Sequence, residues 1–158
     1  MLIVDSREKW THSDSNDTHI SGWLERKGIP WTVKKLDVGD YMMEGGTLTI
    51  DRKQNIDEIS KNLTNPADKK RFWNEVRLAY HRHLKLVVLI ESQKYKSLMD
   101  LRGWKSAYSP VNGVALVRQM ERLNRCYGVQ FEFCQKRSAA RRIIEVLTQN
   151  LEEETLNV

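Results

Sequence analysis

The most apolar stretch of the sequence lies near its centre. Residues 84–91 read Leu-Lys-Leu-Val-Val-Leu-Ile-Glu, with five consecutive aliphatic residues at Leu86–Ile90. This run is far shorter than the roughly 18 residues that a membrane span needs, and it is typical of a strand buried on both faces. Both faces of a sheet that contains such a strand must be packed against other layers of the protein. The segment therefore predicts a layered fold with a buried central strand.

Segments on both sides of this run alternate between strand and helix patterns. Further strands are predicted at Leu2–Asp5, from Trp31 through Tyr41, at Thr47–Arg52 and at Val129–Phe133. Helices are predicted at Thr18–Lys27, from the Asn55 cap, from Pro66 to about His83, at Gly113–Tyr127 and at Ser138–Asn150. Gly45 and Gly46 indicate a hairpin with antiparallel pairing, whereas the later alternation favours parallel pairing. The sequence thus predicts an α/β fold with a mixed central sheet flanked by helices.

Acidic and basic residues are segregated along the chain, although the net charge is only +5. Residues 1–68 hold 9 Lys and Arg against 12 Asp and Glu, whereas residues 69–145 hold 17 against 6. In the helix that begins at Pro66, Lys70 and Arg77 lie along one edge. A basic face of this density favours a polyanionic partner, either nucleic acid or a membrane surface. A solvated helical surface without any partner is the alternative.

Several classes of protein are disfavoured by the sequence. Residues 1–8 show no basic stretch followed by an apolar one, so we expect a cytoplasmic protein, or a nuclear one in a eukaryote. A membrane partner is not expected, since no basic helix carries a bulky apolar face. No Gly-rich loop suits a nucleoside triphosphate. Cys126 and Cys134 lack the spacing of a zinc site or a disulfide scaffold, and we expect both to be small buried residues.

Two carboxylates and a lysine are expected to meet on the sheet. Asp40 ends the second predicted strand, and Asp51 lies eleven positions later, across the hairpin. Asp51 and Lys53 share one face of their strand, because alternate residues point the same way. Carboxylate oxygens bind Mg²⁺, which generates a nucleophilic water for phosphodiester hydrolysis, and a lysine can position that water or stabilise developing charge. An exposed strand pair is the alternative for Asp51 and Lys53 taken alone.

Four motifs, in order along the chain, strengthen this interpretation. They are Asp5-Ser6-Arg7-Glu8, Gly39-Asp40, Asp51-Arg52-Lys53 with Asp57 four positions further on, and Leu89-Ile90-Glu91. Together they resemble the nuclease domain of the XPF family of structure-specific endonucleases, whose pattern is Asp-x-Arg-Glu, Gly-Asp and Glu-Arg-Lys-x-x-x-Asp. The resemblance covers most of the chain. It implies a restriction-endonuclease-like fold that cuts DNA at branches with Mg²⁺ or Mn²⁺.

The resemblance also implies a role for each matching residue. Asp40 and Asp51 would be metal ligands, and Lys53 would be the base that positions water. Supporting active-site groups would be Asp5, Arg7, Glu8, Arg52 and Asp57. Asp51 stands where the family has Glu, and Arg71 is followed by Glu75 where the family typically has Gln, so Glu75 could add a metal ligand or weaken the approach of DNA. We expect a metal-dependent DNA endonuclease, and a non-cleaving DNA-binding or partner-binding module of the same fold is the alternative.

The remaining candidates concern contacts with DNA. Besides Lys70 and Arg77, the expected contacts are Arg71, Arg102 and Lys105. Trp104 and Tyr108 could stack on exposed bases, or they could pack in the core or on a partner. Asp57 and Glu58 could stabilise their helix through its dipole without any role in chemistry.

The expected organisation is one nuclease domain over residues 1–151 and an acidic tail over residues 152–158. We expect the tandem helix-hairpin-helix module of the family to be missing, in which case recognition of a branch would be easier with two copies, and we expect a homodimer. The helices Gly113–Tyr127 and Ser138–Asn150 would pair across a twofold axis through residues such as Met120. The alternative is that both helices only cover the sheet.

Overall fold

The computed structural model describes residues 1–9 and 19–158, which form a six-stranded sheet with helices on both faces. The strands are β1 (Leu2–Asp5), β2 (Trp31–Lys34), β3 (Tyr41–Met43), β4 (Leu48–Lys53), β5 (Lys85–Glu91) and β6 (Gln130–Cys134). The helices are α1 (His19–Arg26), α2 (Ile56–Thr64), α3 (Pro66–His81), α4 (Leu98–Leu101), α5 (Gly113–Tyr127) and α6 (Ala139–Leu156), with a 3₁₀ turn at Lys136–Ser138. The predicted α/β fold is confirmed.

The sheet is mixed, with the strand order β2-β1-β3-β4-β5-β6. Strand β3 runs antiparallel to both β1 and β4, whereas β1–β2, β4–β5 and β5–β6 are parallel. Tyr41 lies opposite Val4 on one side and Ile50 on the other. One position beyond these pairs, Asp5, Asp40 and Asp51 therefore come to the same edge of the sheet.

The predicted second strand is in fact two strands. Strand β2 lies at the edge, parallel to β1, and β3 lies on the other side of β1, so the chain between them passes over the end of β1. Gly39 makes this passage possible with a φ of +72°, and a Cβ there would stand 2.1 Å from Thr49 Oγ1. The prediction that Asp40 ends a strand was wrong, because Asp40 directly precedes β3.

Strand β5 separates two apolar cores, as its sequence predicts. Leu86, Val88 and Ile90 pack with α2, α3 and α5, while Val87 and Leu89 pack on the opposite face with α1 and α6. Both sets are buried. The sheet is thus covered on both sides, and the polar residues at the ends of its strands are left at the rim.

Side-chain caps fix where the helices next to the site begin. Asn55 Oδ1 accepts a hydrogen bond from Glu58 N at the start of α2, and Asn65 Oδ1 accepts from Ala67 N and Asp68 N at the start of α3. Pro66 occupies the first position of α3, where a missing N–H costs nothing. These two caps hold α2 and α3 close after β4, which places both helices beside the carboxylate edge.

Several expectations for the second half of the chain need correction. Met120 and Leu123 of α5 lie buried in one apolar core and Ile143 of α6 in the other, so the predicted contact of a second copy through Met120 is wrong. Helix α6 continues to Leu156 and includes most of the expected acidic tail. Cys126 is exposed and Cys134 is partly exposed, so neither is the buried residue that we expected. Among the described residues, no helix is both long and apolar enough to cross a membrane.

Candidate active site

A cleft of about 470 Å³ opens at the carboxyl ends of β1 and β4. Backbone hydrogen bonds of 2.7 Å, from Asp5 N to the Asp40 carbonyl and from Asp40 N to the Ile50 carbonyl, hold its floor together. The side chains that line the cleft are mostly charged: Asp5, Arg7, Glu8, Lys9, Asp40, Asp51, Arg52, Lys53, Glu58 and Glu75. The structure thus brings together every expected active-site residue except Asp57.

Asp40, Asp51 and Lys53 form the centre of this cleft. Asp51 Oδ1 lies 3.0 Å from Lys53 Nζ, and Asp40 Oδ2 accepts a 2.7 Å hydrogen bond from Arg52 N. Asp51 Oδ2 is buried and has no hydrogen-bond partner among the described residues. A buried carboxylate oxygen without a partner is costly in a folded protein. It marks a position where a ligand with positive charge would stabilise the site.

The carboxylates of the centre repel one another. Burial, together with the charges of Asp51 and Glu8, raises the pKa of Asp40 well above its ordinary value. Burial and the charge of Asp51 also raise the pKa of Glu75. For Lys53, burial opposes the ammonium form, but the nearby Asp51 carboxylate outweighs it and raises the pKa. The centre therefore brings together more carboxyl groups than its lysine can pair with.

Glu75 joins the site from helix α3. Its Oε1 accepts a 2.6 Å hydrogen bond from Gly39 N, so the carboxylate lies beside the chain that leads into Asp40. The sequence left open whether Glu75 adds a ligand or hinders DNA, and the structure places it among the residues that line the cleft. It adds a further carboxylate to those of Asp40 and Asp51 in the cleft.

Arg52 lies on the other face of β4, in a closed network of charges. Its fully buried guanidinium donates hydrogen bonds to Glu8 at 3.2 Å, to Glu91 at 2.9 Å and to the Lys9 carbonyl at 2.9 Å. Burial opposes the charge on Arg52, but Glu8 and Glu91 help to raise its pKa above the ordinary value. His19 Nε2 lies 3.0 Å from the same Glu91 oxygen. Arg52 thus ties together β1, β4 and β5.

Glu91 and His19 are functional-site neighbours to which the sequence analysis assigned no role. Glu91 ends the central strand β5, and this position at the carboxyl end of a strand was a usable signal. His19 carries no such signal, since α1 is distant from β5 in the sequence. Only the packing of α1 beneath the sheet brings its first residue to Glu91.

Asp5 and Arg7 hold the end of β1 against the chain that follows β2. Asp5 accepts hydrogen bonds from Arg7 Nε at 2.9 Å and from Leu36 N at 2.7 Å, and Arg7 donates to the Leu36 carbonyl at 2.7 Å. Burial alone would raise the pKa of Asp5, but these hydrogen bonds outweigh it and the pKa lies below its ordinary value. The pair is therefore suited to a supporting role rather than to metal binding.

The comparison of the sequence with known families decides which family this chain is in. The sequence model of the ERCC4 domain matches residues 4–147. The chain belongs to the ERCC4 domain family. The expected resemblance to the XPF nuclease domain is thereby confirmed, and the four motifs lie within or beside the matched range. A search of curated proteins gave no match.

Solved structures share the fold of this ERCC4 domain. XPF from Aeropyrum pernix matches with a TM-score of 0.66 and 18% sequence identity, over 94% of this chain and 60% of that chain. XPF from Aeropyrum pernix in complex with DNA matches with a TM-score of 0.65 and 18% identity, over 96% of this chain and 65% of that chain. The chain thus spans somewhat under two thirds of these proteins, and the likeness concerns the fold.

Helix α2 of the ERCC4 domain places its two acidic residues differently from our expectation. Glu58, not Asp57, lines the cleft, and its Oε2 accepts a 2.8 Å hydrogen bond from Gln54 N. Burial raises the pKa of Glu58 above its ordinary value. Asp57 lines a neighbouring groove instead. One residue along a helix turns the side chain by about 100°, which is enough to separate the two.

The basic residues expected to contact DNA fall into two groups. Arg71 pairs with Asp68, and Arg102 lies 3.3 Å from Glu121, so both have a carboxylate partner within the chain. Lys70, Arg77 and Lys105 have no carboxylate partner within the described residues. The guanidinium of Arg77 lies over the ring of Trp73, 5.5 Å from its centroid. The unpaired cations are the better candidates for phosphate contact.

A metal centre was expected at Asp40 and Asp51. Across residues 1–9 and 19–158, no three His, Cys, Asp or Glu side chains are already grouped as a metal site. The donors nevertheless fit Mg²⁺ or Mn²⁺ in chemistry, because all are carboxylate oxygens and the buried Asp51 Oδ2 has no hydrogen-bond partner in the described part of the chain. The mutual repulsion of these carboxylates has the same implication, since a divalent cation would relieve it.

Proposed function

We propose that this ERCC4 domain is a metal-dependent endonuclease that hydrolyses phosphodiester bonds in branched or partly single-stranded DNA. The observation that carries the proposal is the buried Asp51 Oδ2, which has no hydrogen-bond partner among residues 1–9 and 19–158 and lies beside Lys53 and Asp40 in an open cleft at the edge of the sheet. An ordinary structural ion pair has no need for further carboxylates beside it.

Asp40 and Asp51 would hold the metal, with Glu75 as a further carboxylate of the cleft. Mg²⁺ or Mn²⁺ bound there would supply a nucleophilic water and would offset the negative charge that develops on the phosphate. The cation would also neutralise the repulsion that raises the pKa values of Asp40 and Glu75. A bound divalent cation would thus stabilise these carboxylates, and their oxygens are the kind of ligand that such a cation prefers.

Lys53 orients the reacting groups. Its ammonium is held by Asp51 Oδ1 at 3.0 Å and lies over the ring of Phe72, 5.4 Å from the centroid, so its position is fixed from two sides. From there it can donate a hydrogen bond to a water or to a phosphate oxygen. Arg52 supports this arrangement from the opposite face, since its network with Glu8 and Glu91 anchors β4.

DNA as the substrate is supported by charge and by the shared fold. Residues 69–145 hold 17 Lys and Arg against 6 Asp and Glu, and phosphate neutralisation supplies most of the sequence-independent affinity for DNA. XPF from Aeropyrum pernix, which shares the fold, is itself solved in complex with DNA. The preference for branched substrates is supported by the resemblance to the XPF family.

A non-cleaving DNA-binding module is the second candidate function. It is favoured by one observation, namely that the described residues contain no metal group that is already assembled. In such a module, the Asp51–Lys53 pair would be a structural ion pair only. The two functions differ in whether the carboxylates of the cleft are needed for strand cleavage or only for stability.

The test is an assay of labelled flap, fork, four-way and linear DNAs with Mg²⁺, with Mn²⁺ or with EDTA. We expect cleavage of the branched DNAs that stops in EDTA and in the variants Asp40→Asn and Asp51→Asn, while DNA binding stays nearly intact. Asp37→Asn is the matched control, since Asp37 is an exposed aspartate paired with Arg82 and lies outside the cleft. Binding without cleavage by the unchanged protein under every condition would favour the non-cleaving module.

A further inference from the structure

A second and larger concavity borders the catalytic cleft. This groove has a volume of about 850 Å³ and lies between α2 and the loop that precedes α5. Glu58 lines both the groove and the cleft, so the two are adjoining. The groove is therefore within reach of a nucleic acid whose phosphate lies beside Asp51.

Tyr108 stands at the rim of the groove with 87% of its surface exposed. The loop that carries it is held by its own hydrogen bonds: Ser106 Oγ accepts from Tyr108 N and Ser109 N, both at 3.1 Å, and Ser106 N donates to the Val111 carbonyl at 3.1 Å. Trp104, four residues earlier, is buried in the core. Of the two aromatic residues that could stack on a base, Tyr108 alone is free to do so.

The lining of the groove suits a neutral aromatic ligand better than a phosphate. Its charged groups are Asp57, Glu58 and Lys61, so acids outnumber the base and would repel an anion. The remaining lining consists of hydroxyl and amide side chains and one aliphatic residue, Val111. Hydroxyl and amide groups can pair with the edge of a base, and the aromatic ring can cover its face.

We propose that the groove receives an unpaired nucleobase of the DNA whose backbone lies in the catalytic cleft, with Tyr108 stacked on the face of that base. The inference rests on the proposed function and deepens it by naming the feature of the substrate that is recognised. A paired base is already stacked on both faces inside the duplex and cannot enter. The groove therefore selects DNA with a single-stranded segment next to the cleft.

The first test compares the binding of two DNAs in EDTA, where no metal-dependent cleavage occurs. One DNA is a blunt duplex, and the other is the same duplex with a single-stranded extension. We expect Tyr108→Ala to weaken binding of the extended DNA by about fivefold to a hundredfold, the range for loss of one base stack. Binding of the blunt duplex should not change, and Tyr108→Phe should bind like the unchanged protein because it keeps the ring.

Tyr80→Ala is the matched control. Tyr80 is exposed too, at 52% of its surface, but its ring packs edge-on against Tyr127, 5.4 Å between centroids, and it lines neither the cleft nor the groove. We expect this variant to bind both DNAs like the unchanged protein. An equal loss on both DNAs in Tyr108→Ala, or no loss on either, would overturn the proposal.

A second measurement locates the base. 2-Aminopurine is placed at successive positions of the single-stranded extension, and its fluorescence is followed as the protein binds. We expect quenching that is strongest at one position, is lost in Tyr108→Ala and is kept in Tyr108→Phe. The same fluorescence change at every position would contradict the binding of one base in the groove. Neither readout depends on cleavage. If the protein cuts DNA but neither readout depends on Tyr108, only this inference is refuted. If a base is bound but no DNA is cut, only the proposed enzymatic function is refuted.

Discussion

The two faces of strand β4 both carry charged residues, but these residues are fully paired on one face and incompletely paired on the other. On one face, Arg52 is fully buried and its guanidinium pairs with both Glu8 and Glu91 in a closed network. Asp51 and Lys53 lie on the other face of the strand. Lys53 pairs with Asp51 Oδ1, but Asp51 Oδ2 has no hydrogen-bond partner among the described residues. Both sets come from three consecutive residues of one strand.

The difference shows how one strand separates stability from chemistry. A closed network stabilises the fold only while every partner is present, whereas an open carboxylate destabilises the fold until a ligand arrives. The alternation of side chains along a strand allows both without interference. The closed face lies toward α1 and α6, and the open face lies toward α2 and α3, which contribute Glu58 and Glu75.

The largest effect is expected from breaking the closed face. Arg52→Met leaves Glu8 and Glu91 buried without the guanidinium that pairs with both, and we expect the free energy of unfolding to fall by about 3–5 kcal/mol. Urea unfolding followed by circular dichroism measures this loss. Arg142→Met is the control, because Arg142 pairs with Glu132 at 2.8 Å in a partly exposed position, and we expect a change of at most about 1 kcal/mol. Equal losses of unfolding free energy in the two variants would show that the burial of the Arg52 network does not increase its contribution to stability.

The open face should respond in rate rather than in stability. Lys53→Ala is expected to lower the cleavage rate by about 10²–10³ at saturating metal, the usual effect of removing one donor at a site of developing charge. The midpoint of urea unfolding should move less than in Arg52→Met, because Lys53 pairs with a single carboxylate. Single-turnover kinetics give the rate. An unchanged rate would remove Lys53 from the mechanism.

The smallest effect concerns the basic residues on the surface, where paired and unpaired cations can again be compared. We expect Lys70→Ala with Arg77→Ala to reduce the slope of log K against log salt by about 0.9 per lost phosphate contact. Arg71→Ala with Arg102→Ala should reduce it less, since Asp68 and Glu121 already pair with these residues. Fluorescence anisotropy at several salt concentrations measures both slopes. A larger reduction in the second double variant would contradict the assignment.

Much of the fold could be predicted from local patterns. The apolar run at Leu86–Ile90 indicated the central strand, and the Asn55 and Asn65-Pro66 signals located the starts of α2 and α3. These features depend on periodicity and capping, which act within a few residues. The division of residues 31–41 into β2 and β3 could not be predicted, because it depends on both strands pairing with β1.

The candidate site was predictable where motifs carry it and not where packing does. Asp40, Asp51 and Lys53 were found from the spacing of the hairpin and from the family motifs. Glu75 was noted only as a departure from the family pattern, since its place in the cleft depends on the hydrogen bond from Gly39. The burial of Met120 was missed for a related reason, because a surplus of apolar residues on a helix does not reveal which of them the sheet covers.

The most direct test of the account is the binding of Mn²⁺ to the open face of β4, followed by the loss of the free-ion electron paramagnetic resonance signal. We expect the unchanged protein and Asp37→Asn to bind Mn²⁺ alike. Asp51→Asn should bind Mn²⁺ at least about tenfold more weakly. Loss of a residue that only orients a metal ligand already costs about tenfold or more in affinity, and loss of the ligand itself should cost no less. Equal binding by Asp51→Asn and the unchanged protein, or no binding by any of the three proteins, would contradict the assignment of the metal to this face.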